Sequence, residues 1–185
     1  CTLGLIGFGR IARAVAQRVS GFDLNLLAYD PIVEAGSMAA LGVQKAELDE
    51  LLARSDFISI HCPLTRDTHR LLDARAFELM KDGVFLVNTS RGPIIEESAL
   101  AEALRQGKVW GAGLDVFEQE PLPPESPLRE FDNLILTPHV GANSEESRDD
   151  LYRAGYQIAI DVQQGRWPQS VVNPEVRGRT RFPLQ

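Results

Sequence analysis

Short apolar runs and amphipathic stretches alternate along almost the whole chain. Residues 3–6, 24–29, 56–60, 84–88, 110–116 and 134–136 are mainly apolar and too short for helices, and a briefer run falls at Val43. Runs of this kind, with no consistent polar face, predict strands buried on both sides. Between them, Ile11, Ala14, Val15 and Val19 recur at helical spacing, as do the apolar positions of 38–41, 48–54, 74–80 and 97–106, the last with Gly107 as its stop. Strands and helices alternating in this order give one parallel sheet with helices on both faces, a doubly wound α/β architecture. A longer helical pattern covers 145–164 and reads as a linking helix.

Composition narrows the class. The 185 residues are 44% hydrophobic and 24% charged, which indicates a soluble globular chain. No apolar run approaches the ~20 residues a membrane span needs. The net charge of −7 argues against nucleic acid as a partner, and Arg177, Arg179 and Arg181 read as a solvated tail. The apolar start lacks the basic leader of a signal peptide. Two cysteines, Cys1 and Cys62, give neither a disulfide framework nor metal spacing, so the expectation is a cytoplasmic protein with no metal site. Cys62 closes an apolar strand and reads as a small buried thiol. His61 and His69 flank the turn at 63–65 and read as loop residues near a ligand, not as catalytic ones.

The turn after the first run carries chemistry. Gly7-Phe8-Gly9-Arg10-Ile11-Ala12 is G-x-G-x-x-A between a strand and a helix. Gly7 permits the tight turn, Gly9 lets backbone approach a pyrophosphate, and Ala12 allows close helix–strand packing. The free N–H groups of the helix N-terminus then face the phosphates. Asp30 ends the next predicted strand eighteen positions after Ala12, near the ~20 expected for an acid that accepts from both ribose hydroxyls. Its charge would repel a 2′-phosphate, so the expected cofactor is NAD and not NADP.

Three further residues complete a reaction site. Arg91 lies in Asn88-Thr89-Ser90-Arg91-Gly92, Glu120 precedes Pro121, and His139 lies in Thr137-Pro138-His139-Val140-Gly141. Arginine grips a carboxylate and polarises the adjacent carbonyl, while histidine backed by glutamate exchanges the proton that accompanies a hydride. Gly7, Asp30, Pro63, 89–91, Asp115 and His139 each follow a predicted strand, where open parallel sheets bind ligands.

With these motifs, and with Gly111-Ala112-Gly113-Leu114-Asp115-Val116-Phe117 between them, the chain resembles the NAD-binding domain of the D-isomer-specific 2-hydroxyacid dehydrogenases over about residues 2–174. The ending 170–174 is similar to the branch holding phosphoglycerate dehydrogenase, glyoxylate and hydroxypyruvate reductases and the C-terminal-binding-protein corepressors. The resemblance implies a Rossmann fold and hydride transfer between NAD and a small D-2-hydroxy acid or 2-oxo acid. Arg91 would bind the substrate carboxylate, His139 would be the acid–base, and Glu120 would orient His139 and favour its protonated form. Arg10 and Ile11 would meet the pyrophosphate, with Gly7, Phe8 and Gly9 before them, and Asp115 would hold the nicotinamide carboxamide. Cys62, Pro63, Thr68, Thr89, Ser90, Gly141 and Ala142 would also line the cofactor, with Arg91 and His139. Glu120 stands where the formate dehydrogenases of the family carry glutamine, which argues against that activity.

The resemblance also implies a homodimer. It divides the chain into an NAD-binding domain at 1–165 and, at 166–185, the remnant of a substrate domain whose first part precedes the glycine turn in the family. The chain then reads as a fragment that binds NAD but turns over slowly or not at all, whereas the complete gene product is active. Two other readings use the same residues: an NAD(H)-sensing binding protein akin to the corepressors, and dehydrogenation of an inorganic oxyanion. The identity of the 2-hydroxy acid is left open, because Gly141-Ala142-Asn143-Ser144 departs from the commoner Gly-Gly-Ser-Thr ending.

Overall fold

The computed structural model describes residues 1–179, so Arg181 and the end of the segment predicted at 166–185 lie outside the described residues. The chain forms two compact units, Cys1–Val140 and a second that begins at Gly141.

In the first unit, β1 (Thr2–Ile6), α1 (Arg10–Arg18), β2 (Asn25–Tyr29), α2 (Ala35–Ala39) and β3 (Val43–Lys45) are followed by α3 (Leu48–Arg54) and β4 (Phe57–Ile60). Then come α4 (Ala74–Leu79), β5 (Val84–Asn88), α5 (Glu97–Arg105), β6 (Val109–Leu114) and β7 (Leu134–Leu136). The strands pair in the order β3-β2-β1-β4-β5-β6-β7, and every pairing is parallel. This is the doubly wound Rossmann-type sheet the alternation predicts, and the strand order reverses between β1 and β4. The predicted and observed elements agree to within a few residues at their ends, where helices fray.

Helices lie on both faces, but unequally. On one face Ile6, Leu27, Ile58, Ile60, Leu86 and Leu114 pack against Leu51, Leu52, Phe77, Leu100 and Leu104 of α3, α4 and α5. On the other, Leu3, Leu5, Leu26 and Ala28 pack against Ala12 and Ala16 of α1 and Met38 of α2. Every helical crossover after β3 returns on the first face, so β4 to β7 present Phe57, Phe85, Val87, Trp110 and Ile135 exposed on the second. There Phe57 and Phe85 stack at 5.3 Å, and Trp110 meets Phe85 edge-on at 6.4 Å.

The second unit contains α6 (Glu145–Gln163), capped by Ser144, whose Oγ accepts from Ser147 N at 3.1 Å. Arg166 pairs with Asp161, and the Arg177 guanidinium stands over the Trp167 ring. No residue of α6 is buried. No described helix is long and apolar enough to cross a membrane.

Candidate active site

Because all seven strands are parallel, their carboxyl ends share one edge, and the predicted site residues fall there in a definite lateral order. Asp30 leaves β2, Gly7 leaves β1, Cys62 and Pro63 follow β4, Thr89 to Arg91 follow β5, Asp115 follows β6, and His139 follows β7. At ~4.8 Å between neighbouring strands, the edge from β2 to β7 measures about 24 Å. An extended ligand crossing the switch between β1 and β4 would meet both ends of this row.

The glycine turn has one closed side and one open side. Gly7 has φ +87°, its N–H donates to Tyr29 O at 2.8 Å, and a Cβ there would stand 2.6 Å from Cys62 N. A Cβ at Gly9 would meet nothing within 4 Å. Gly9 also begins α1, which has no side-chain cap and no acid in its first turn. Open space beside uncapped N–H groups fits a pyrophosphate, the group the resemblance implies.

Asp30 is tied into this turn. Its Oδ2 accepts from Phe8 N at 2.8 Å, and its Oδ1 accepts from Ile32 N at 2.9 Å and Val33 N at 3.0 Å. Burial pushes the Asp30 pKa up, but these three N–H donors and the charge of Lys45 outweigh it, so the net direction is down and the group is a carboxylate at neutral pH. Phe8, predicted at the cofactor, contributes only backbone to the turn, because its ring is buried in the core under α1. The Arg13 side chain closes over that ring and donates to Phe8 O.

At the centre of the edge, Ser90 Oγ donates to Cys62 O, and Thr68 Oγ1 donates to Pro63 O at 2.6 Å, which closes the 63–68 turn. The Cys62 thiol is buried, and that burial pushes its pKa up to about 11. It is therefore a thiol and not a nucleophile at neutral pH. His61 meets Ser59 Oγ at 2.9 Å, and burial lowers its pKa.

The far end assembles the reactive side chains. Asn88 is fully buried; its Nδ2 donates to Arg91 O and its Oδ1 accepts from Ser90 N, both at 3.0 Å, so it braces the turn that carries Arg91. Gly92 comes so close to the next segment that a Cβ would lie 1.9 Å from Phe117 C and O. Phe117 N in turn donates to Glu120 Oε1 at 3.1 Å, and Glu120 Oε2 meets His139 Nδ1 at 2.8 Å. A carboxylate only accepts, so His139 carries a hydrogen on Nδ1. The hydrogen bond from His139 holds the Glu120 carboxyl below the usual carboxylate range, against a smaller opposing effect of burial and with help from Phe117 N and the charges of His139 and Arg91. Glu120 and His139 also line a cavity of about 480 Å³ with Phe117, Leu122 and Leu136.

Asp115 is buried, and its Oδ1 accepts from Thr137 Oγ1 at 2.5 Å and from Val140 N at 2.9 Å. Gly141 and Ala142, predicted at the cofactor, belong to the second unit. Asn88, Gly92 and Thr137 sit inside the motifs that mark the site, but their parts as brace, spacer and tether follow only from three-dimensional contacts.

Comparison with known proteins bears on the family and the fold. Residues 1–141 match the model of the family described as D-isomer specific 2-hydroxyacid dehydrogenase, NAD binding domain. A glyoxylate reductase of Korarchaeum cryptofilum is 43% identical over 175 residues, covering 95% of this chain and 53% of that protein. A D-3-phosphoglycerate dehydrogenase of Mycobacterium bovis is 46% identical over 161 residues, 87% of this chain and 30% of that one. The D-lactate dehydrogenase of Aquifex aeolicus, crystallised with NAD and lactic acid, superposes with a TM-score of 0.82 at 35% identity over 89% of this chain and 54% of its own. The chain thus spans about half the length, or less, of the relatives it matches.

Proposed function

The chain belongs to the D-isomer specific 2-hydroxyacid dehydrogenase family, whose NAD-binding domain it carries, and from that premise we propose that it works in the reversible reduction of a small 2-oxo acid to the D-2-hydroxy acid. The observation that carries the reading is the 2.8 Å contact between His139 Nδ1 and Glu120 Oε2, on the same sheet edge as Arg91 and the glycine turn.

When bound, NADH supplies a hydride to C2 of the oxo acid. Arg91 binds the carboxylate and draws electron density toward the carbonyl oxygen. His139 gives its Nε2 proton to that oxygen as C2 gains the hydride, which leaves an alcohol and a neutral imidazole. Glu120 keeps Nδ1 protonated and offsets the charge of the imidazolium before transfer. His139 recovers its proton from solvent, to which about half of its side chain is open. Arg10, Ile11 and Gly9 would hold the pyrophosphate, Asp30 would accept from the ribose hydroxyls, and Asp115 would face the carboxamide.

The ionised Asp30 supports NAD over NADP, because a 2′-phosphate there would meet a like charge. The open apolar face of β4 to β7, with Trp110 and Ile135, supports a homodimer. The free thiols of Cys1 and Cys62 support a reducing, cytoplasmic setting. Titration with NADH and separately NADPH, followed by energy transfer from Trp110 and Trp167, tests the cofactor end. Saturation by NADH with much weaker NADPH binding is expected, and no NADH binding would overturn the reading. For the reactive end, His139→Gln should abolish reduction of glyoxylate by NADH, and undiminished turnover would remove His139 from the reaction.

A further inference from the structure

His139 has φ +54°, in the left-handed region that a residue with a Cβ seldom occupies. Such a conformation persists only where its surroundings impose it. Thr137 N donates to Leu114 O at 3.0 Å and continues the β6–β7 pairing by one residue. His139 N donates to Asp115 O at 2.9 Å and Thr137 O at 3.0 Å. Across the corner, Asp115 Oδ1 accepts from Thr137 Oγ1 at 2.5 Å and from Val140 N at 2.9 Å. One carboxylate oxygen therefore holds the residues on both sides of His139. Thr137 supplies the one side-chain donor in this set.

We propose that Thr137 is a positioning residue for His139: its hydroxyl, through Asp115 Oδ1, fixes the left-handed corner that aims the imidazole at Glu120 and the ligand. The inference rests on the acid–base reading of His139 and deepens it. Neither Thr137 nor its hydroxyl touches the reacting atoms. The hydroxyl locks the rotamer of a buried acid that lies between the β6 and β7 loops. Threonine suits this better than serine, since its branched Cβ restricts χ1 and leaves the hydroxyl few other directions. Without the hydroxyl, Asp115 Oδ1 would keep the Val140 N–H but lose its tether to the strand end. The corner would then relax toward ordinary backbone angles, and His139 Nδ1 would swing from Glu120.

The test compares Thr137→Val, which keeps the shape and deletes the donor, with Thr137→Ser, which keeps the donor. The first readout is the imidazole Nδ1–H resonance of His139 by ¹⁵N NMR on the chain itself. The wild type and Thr137→Ser should show the Nδ1 signal of a ring hydrogen-bonded to a carboxylate, and Thr137→Val should lose it. In turnover of glyoxylate with NADH, Thr137→Val should lower kcat roughly 10- to 100-fold with little change in KM for NADH, the pattern of a misplaced reacting group. If Thr137→Val does not fold, Thr137→Ala is read in the same way. A wild-type imidazole signal in either donor-deleted protein overturns the proposal. The resonance needs no turnover, so failure of the hydride-transfer reading, seen as full activity in His139→Gln, is a separate outcome.

Discussion

Gly92→Ala is the most demanding test of how the two halves of the reactive end are joined. The added Cβ would stand 1.9 Å from Phe117 C and O and 2.5 Å from Phe117 Cα. To reach an ordinary contact near 3.4 Å, one backbone must retreat by about 1.5 Å. Neither can do so freely. The Arg91 turn is pinned by the fully buried Asn88, and Phe117 is buried in the core while its N–H holds Glu120. Overpacking against side chains that can yield costs about 1–3 kcal/mol, and backbone against backbone belongs at the top of that range, about 3 kcal/mol. For a chain of this size, roughly 2–4 °C of melting temperature goes with each kcal/mol, so the variant should melt about 6–12 °C lower. Any relaxation also moves Arg91 away from Glu120, so activity should fall further than occupancy. NADH binding is the internal control, since the glycine turn lies two strands away from this contact. Melting by circular dichroism together with NADH titration reads both effects. A Gly92→Ala protein that melts within about 2 °C of the parent and keeps full turnover would refute the packing argument.

Gly9→Ala should behave in the opposite way: with nothing within 4 Å of the new methyl, the melting temperature should hold while NADH affinity falls about 10-fold or more, and unchanged affinity would mean that the space is not the phosphates'. Asp30→Ala should speed hydrogen exchange at the Phe8 amide even without cofactor, because the carboxylate that accepts that N–H is gone; unaltered exchange would count against the tie. Glu120→Gln keeps the shape but loses the carboxylate that holds Nδ1, so it should lower kcat for oxo-acid reduction roughly 10-fold or more, and unchanged turnover would argue against the pair. In the wild type, the carboxylate form of Glu120 is favoured by folding, so the stability it adds is present above its ordinary value of 4.5 and is lost as pH falls through the lower folded one. Cys62 has the opposite sign: its buried thiol is complete below pH 9, and as pH rises toward 11 folding should lose up to about 3 kcal/mol. Iodoacetamide at pH 8 should accordingly label Cys1 and spare Cys62, and equal labelling would contradict the burial.

The strands and helices were legible because parallel strands buried on both faces read as unbroken apolar runs, and because Gly7 and Gly107 punctuate them. That the site residues share one edge was legible too, since strand ends in a parallel sheet point the same way, but their lateral order came only with the strand pairing. The uncovered half of the second face was not. Phe57, Phe85 and Trp110 look in sequence like any core residue of a central strand, and only the topology shows that no crossover helix of this unit reaches them. The handedness at His139 also escapes pattern reading, because its N–H donates to Asp115 O, a residue distant in sequence. Gly92 was visible as a glycine but not as a spacer, since its neighbour Phe117 is distant in sequence.

Asp30 and Asp115 solve the same physical problem at opposite ends of the groove. Beyond the last ladder hydrogen bond, loops leaving adjacent parallel strands have nothing that ties one to the next, yet a ligand site needs them fixed. A short acid just past the strand end supplies the tie, because each carboxylate oxygen accepts more than one N–H or O–H. Asp30, leaving β2, accepts from Phe8 in the loop of β1; Asp115, leaving β6, accepts from Thr137 and Val140 in the loop of β7. In both places the acid stands beside the residue that the chemistry most needs held still, the glycine turn at one end and His139 at the other. An aspartate predicted only to face the cofactor therefore carries a structural role as well. Removing its charge should disturb the loops in the free protein before any cofactor is bound, which separates this role from a purely ligand-facing one.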